Sequence, residues 1–210
     1  MLDRTGFDLW ANGYDKSVNL SEKNNEYPFA GYKDVLNYIY NQVRGKAGAN
    51  VLDIGFGTGV LTTKLYNDGY SITGVDFSSN MIGIAKQKMP QATLINCDFS
   101  KGLPDDINNQ TFDFIISTYA IHHLSQKEKI NFIKSLSTLI NKTGKILLGD
   151  VSFQTIKELE KCKDKYNKYW DNDEFYFTVE EIKKDLNDEY LCNYNPISHC
   201  AGVLTITNKY

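Results

Sequence analysis

No apolar run in this chain approaches the ~18 residues that a membrane helix requires. The first ten residues carry Asp3, Arg4 and Asp8 where a signal peptide would have an apolar core. A cytoplasmic protein with no membrane partner is therefore expected. The four cysteines, Cys97, Cys162, Cys192 and Cys200, include no CxxC pair and show no ligand-like spacing with the three histidines, His122, His123 and His199. Reduced structural thiols are expected, and no metal. Nor is there an excess of positive charge. Lys and Arg number 23 against 26 Asp and Glu, a net charge of −3, so the basic field that nonspecific nucleic-acid binding draws on is missing.

What is present suits an ordinary folded domain. At 210 residues, 41% of them hydrophobic and 23% charged, the chain is long enough for folding to bury roughly 70% of its unfolded surface. Between residues 28 and 43 the apolar residues Phe29, Tyr32, Val35, Leu36, Ile39, Tyr40 and Val43 recur at helical spacing. Short β-rich runs then alternate with helical segments. Strands are expected over 50–54, 71–75, 93–97, 112–117 and 145–151, with helices over 58–67, 79–88 and 126–140. Such alternation implies parallel strands joined by crossover helices. Beyond Val151 the pattern changes to a charged helix over 155–169, a helix over 179–186, and two strands over 191–195 and 203–207 that can pair antiparallel at the sheet edge. Residues 1–28, rich in aromatics, read as a lid.

The segment Val51-Leu52-Asp53-Ile54-Gly55-Phe56-Gly57-Thr58-Gly59 is a buried strand entering a glycine-rich turn that opens a helix. Glycines there allow a ligand to approach the backbone, although a tight turn alone also needs them. Asp76 ends the second strand, where a carboxylate can accept hydrogen bonds from a ribose diol, and Asp98 follows the third. Each could instead cap a turn or helix. Asp53, two residues before Gly55, would repel a pyrophosphate over the loop. S-adenosylmethionine carries no phosphate and offers an ammonium group that Asp53 can meet.

These motifs, with Gly74-Val75-Asp76-Phe77-Ser78 and Cys97-Asp98-Phe99, resemble those of class I S-adenosylmethionine-dependent methyltransferases over about 50–151. Over nearly the whole chain the sequence is similar to the bacterial YrrT-like methyltransferases. The longer match is carried by Trp10, Tyr14-Asp15, Tyr27, Gly31-Tyr32 and Ser117-Thr118-Tyr119-Ala120-Ile121-His122-His123-Leu124. The resemblance implies an α/β, Rossmann-like seven-stranded sheet, mostly parallel with a C-terminal antiparallel pair and helices on both faces. Residues 1–46 would form an N-terminal helical cap and residues 47–210 the cofactor-binding domain, in one compact unit. By the same resemblance Asp53, Gly55, Gly57 and Gly59 surround the methionyl end of S-adenosylmethionine, Asp76 takes the ribose and Asp98 the adenine amino group. Phe77, Met81 and Phe99 would face the adenine ring, or else be core residues, and Ser117 is a further candidate cofactor contact. Trp10, Tyr14, Tyr27 and Tyr32 would form the substrate lid, or else pack. S-adenosylhomocysteine would be the product.

If the acceptor bears a proton, His122 or His123 can remove it, and since adjacent residues rarely point into one site, His123 is preferred as the base. The alternative is that one caps the next helix while the other packs. Base-methylating enzymes usually carry Asn or Asp before Pro-Pro and an aromatic after the fourth strand. That position here reads Ser117-Thr118-Tyr119-Ala120, and none of Pro28, Pro90, Pro104 and Pro196 adjoins another proline or a cysteine. A small-molecule acceptor is therefore expected, with no nucleic acid. The alternatives are a noncatalytic regulator that senses the cofactor and a nicotinamide-dependent oxidoreductase.

Overall fold

The computed structural model describes residues 25–186 and 189–209. Trp10 and Tyr14 lie outside the described residues. Helix α1 (Tyr32–Val43) leads into β1 (Asn50–Ile54), α2 (Val60–Asn67), β2 (Ser71–Asp76), α3 (Ser79–Lys88) and β3 (Thr93–Asn96). A short α4 (Asp105–Asn108) precedes β4 (Phe112–Thr118), and α5 (Gln126–Ser137) leads to β5 (Ile140–Phe153). The chain closes with α6 (Ile156–Lys165), β6 (Phe177–Thr178), α7 (Val179–Leu186), β7 (Tyr190–Pro196) and β8 (Ala201–Asn208). Single 3-10 turns occupy Phe99–Lys101 and Ile121–His123.

The strands form one sheet in the order β3-β2-β1-β4-β5-β8-β7. β1 to β5 pair in parallel, while β8 runs antiparallel to β5 and to β7. The expected seven strands are joined by an eighth, the two-residue β6, which pairs with β5 through Ser152 and Phe153. Central strands are buried on both faces, and their sequences are correspondingly almost continuously apolar. The edge strand β3 is short and only partly covered.

Alternate residues of each strand feed two cores. Val51, Ile116, Leu147 and Val203 pack with α1, α2, α3 and α6, whereas Leu52, Ile115, Leu148 and Leu204 pack with α5 and α7. The first helix thus belongs to the main core. Its helix begins at Tyr32 rather than Pro28, because Gly31 takes a left-handed conformation at the N-cap. The last helix before β6 also ends early, at Lys165 instead of 169, where the chain turns to bring residues 170–176 back toward the sheet.

Helix α1 crosses β5 at Gly149. A Cβ there would lie 2.5 Å from Val35 Cγ1 and 2.9 Å from Ile39 Cδ1. Gly149→Ala should therefore destabilise the fold by about 1–3 kcal/mol through overpacking. Equilibrium urea unfolding measures this, and Gly149→Ala combined with Val35→Ala should lose less than the sum of the two single changes. Simple additivity would contradict the close approach.

Candidate functional site

After β1 the chain builds sheet on one side, through β2 and β3, and after β4 it builds on the other. The carboxyl edge therefore parts between β1 and β4, the place where open α/β sheets bind ligands. A cavity of about 270 Å³ occupies that parting. Its walls come from the glycine turn after β1, the end of β2, the turn after β4, α1, and the loop after α6.

Asp53 sits in the wall, 1% exposed. Thr62 Oγ1 donates to its Oδ2 at 2.5 Å, while Oδ1 has no hydrogen-bond partner among the described residues. Burial, partly offset by the Thr62 hydroxyl and reinforced by Asp76, pushes its pKa from 3.8 to about 7. Gly55 is indispensable to this geometry. It has a φ of 69°, and a Cβ on it would stand 2.5 Å from the Ala120 Cβ, so only glycine lets the two turns meet. Asp76 closes the arrangement by accepting from Gly57 N at 2.8 Å and from Ser78 N at 2.9 Å.

The opposite wall holds the histidines. His122 Nδ1 donates to Asp150 Oδ1 at 2.8 Å, and its Nε2 lies 3.6 Å from Glu174 Oε1. Burial draws the His122 pKa down, but Asp150 and then Glu174 outweigh it and hold it above the ordinary value. His123 packs edge-on against it, with ring centroids 4.2 Å apart. Burial and the neighbouring His122 push the His123 pKa down to about 3. The imidazole preferred as the base is therefore the weaker proton acceptor, and it is His122 that has an orienting carboxylate. Both rings line the cavity, contrary to the expectation that only one would, because a 3-10 turn brings neighbouring side chains closer together than a strand does.

Other expected residues separate into two groups. Asp53, Gly55, Gly57, Asp76, Phe77, Met81, Phe99 and Tyr32 line the cavity. Gly59 instead caps α2, and Ser117 Oγ donates to Ile54 O at 2.9 Å, tying β4 to β1. Asp98 is outside the lining. β3 ends at Asn96, and the Asp98 carboxylate accepts from Ser100 N and Oγ and pairs with Lys101 at 2.8 Å. It caps the turn that carries Phe99. Tyr27 is outside the lining, stacked on Trp170 at 5.1 Å with its hydroxyl on that of Tyr176.

The sequence pattern of the methyltransferase domain family matches residues 51–144. An uncharacterized methyltransferase of Alkaliphilus oremlandii is 32% identical over 207 residues, which cover 97% of this chain and 92% of that protein. The chain belongs to the methyltransferase family. Another uncharacterized methyltransferase, from Bacillus cytotoxicus, is 41% identical over 148 residues, 70% of this chain but slightly under two thirds (66%) of that protein. Magnesium protoporphyrin IX methyltransferase from Synechocystis PCC 6803, solved with bound SAM, shares the fold with a TM-score of 0.68 at 19% identity, covering 100% of this chain and 99% of that one.

Several residues that shape this methyltransferase cavity carry no motif in the sequence. Lys129, 1% exposed on α5, donates through Nζ to the carbonyls of Leu124 and Phe175 and so fastens the 171–176 loop to the turn after β4. That loop brings Asp171, Asp173 and Glu174 to the cavity. A lysine within the apolar stripe of α5 was the one available signal.

The Asp53 carboxyl ionises near 7 when folded and near its ordinary 3.8 when unfolded, so between those values the folded chain holds the extra proton. The cost of burying the anion is absent below about pH 4, grows through the window, and is complete above about pH 7. Asp53→Asn should accordingly be more stable than the parent at pH 8, by about 1–3 kcal/mol, and close to it at pH 4. Thermal unfolding of both proteins across that range reads the difference; a gap independent of pH would contradict the assignment.

Proposed function

We propose that this chain transfers a methyl group from S-adenosylmethionine to a small-molecule acceptor held in the β1/β4 cavity. The observation that carries the reading is the charge of the wall. Asp53, Asp76, Asp171, Asp173 and Glu174 all line it, and no Lys or Arg does so among the described residues. A pyrophosphate would face repulsion there, whereas a cationic nucleoside is attracted. The buried Oδ1 of Asp53, without a partner of its own, fits an ammonium donor.

In this reading Asp53 with the turn at Gly55 and Gly57 receives the methionyl end, where the Gly55 conformation leaves room for close approach. Asp76, held in place by the amides of Gly57 and Ser78, takes the ribose hydroxyls. Phe77, Met81 and Phe99 supply apolar surface to the base, and Asp98 contributes through the turn it caps. The cofactor supplies, when bound, a methyl group on a positively charged sulfur.

What the protein must then do is hold an acceptor in line with that methyl and keep water away. Phe29, Tyr32 and Tyr119 form a mutually packed aromatic wall with centroid separations of 5.2 to 6.0 Å, and all three line the cavity. Rigid rings of this kind orient a ligand at little entropic cost.

Titration calorimetry tests the reading. S-adenosylmethionine and S-adenosylhomocysteine should bind saturably, and Asp76→Ala should weaken both by about 10- to 100-fold. NAD and NADP should show no saturable binding. Dinucleotide binding with S-adenosylmethionine silent would overturn the proposal.

A further inference from the structure

We propose that His122, His123 and Glu174 form a divalent-cation site of the zinc type on the wall of the cavity, with its remaining position open to the acceptor. Each residue offers one ligand atom, and these atoms lie within 4.8 Å of one another. His122 Nε2 and Glu174 Oε1 are 3.6 Å apart, too far for a hydrogen bond. That spacing is close to the roughly 3.4 Å edge of a tetrahedron built on metal bonds of about 2.1 Å.

The surroundings are those of a ligand set. Metal-bound imidazoles nearly always give their other N–H to a carboxylate, which fixes the ring and its tautomer. Asp150 does this for His122. Its Oδ1 takes the Nδ1 proton at 2.8 Å, and the carboxylate is itself anchored by Val151 N at 2.7 Å and His122 N at 3.3 Å. Nε2 is thereby left on the side of Glu174. On the other ligand, the Tyr176 hydroxyl donates to Glu174 Oε2, leaving Oε1 toward the imidazole.

Charge points the same way. Asp150 is wholly buried, Glu174 is partly so, and the nearby cation Lys129 directs its Nζ to two backbone carbonyls. Two imidazoles and one carboxylate are the donors of catalytic zinc sites, which keep a fourth position open, and such nitrogen-rich sets disfavour magnesium and calcium. No spacing rule could have found the trio, since Glu174 reaches the histidines only through the loop that Lys129 holds. Resting on the methyltransferase reading, the acceptor class that follows is one whose thiol or hydroxyl ligates the ion and releases its proton to solvent on doing so.

The test uses the full chain, free of any affinity tag and treated with chelator, titrated with Zn²⁺ by calorimetry and with Co²⁺ by visible absorption. One equivalent should bind, with ligand-field bands of a four- or five-coordinate ion. His123→Gln and Glu174→Gln should each weaken binding by at least about 10-fold, and Asp150→Asn, acting through His122, by about 10- to 100-fold. His199→Gln should leave it unchanged. S-adenosylmethionine affinity is measured on the same parent sample, so a failure of cofactor binding is distinguished from a failure of the metal site. No saturable binding to the parent, or binding that survives both ligand variants in folded protein, would overturn the proposal.

Discussion

The reversal of strand order at β1 is the constraint on which this molecule turns. Because β2 and β3 extend the sheet one way while β4 and β5 extend it the other, the segments leaving β1 and β4 must separate at the carboxyl edge. Among the described residues, the cavity around that gap is walled by the turns after β1 and β4, the end of β2, α1 and the loop after α6. Gly55 sets how close the two turns come, since any larger residue would strike Ala120.

Burying Asp53 in that gap costs stability, and the fold accepts the cost at only one oxygen. Thr62 satisfies Oδ2 and nothing described satisfies Oδ1. A carboxylate kept in this condition favours a ligand that brings both a positive charge and hydrogen-bond donors. Asp76 is the contrasting case. Its oxygens already hold the glycine turn and the start of α3, so it shapes the site whether or not a ligand is present. The two aspartates end adjacent parallel strands, yet one organises the loop and the other waits for a partner.

Much of this was legible in the sequence where the relevant residues are consecutive. The run from Val51 to Gly59 predicts a buried strand and its turn because local periodicity and glycine chemistry determine them, and α3 and α7 occupy the expected residues. Asp98 shows the limit of that locality. A carboxylate three positions before a lysine is as suited to capping a turn as to meeting a ligand, and the structure shows the cap. The different surroundings of the two histidines were not legible for another reason. What separates His122 from His123 is Asp150 on β5 and Glu174 beyond α6, contacts made only by the tertiary fold. Lys129 likewise looks like an interruption of an apolar stripe until the loop it fastens is seen.

If the cofactor's ammonium meets Asp53, that carboxyl, half-protonated near neutrality, should become an anion on binding. Proton exchange on binding measures this directly, by titrating S-adenosylmethionine at pH 6 in buffers of differing ionisation enthalpy. The parent should release a proton on binding, and Asp53→Asn should release none. Binding without proton release, or release that persists in Asp53→Asn, would contradict that role for Asp53.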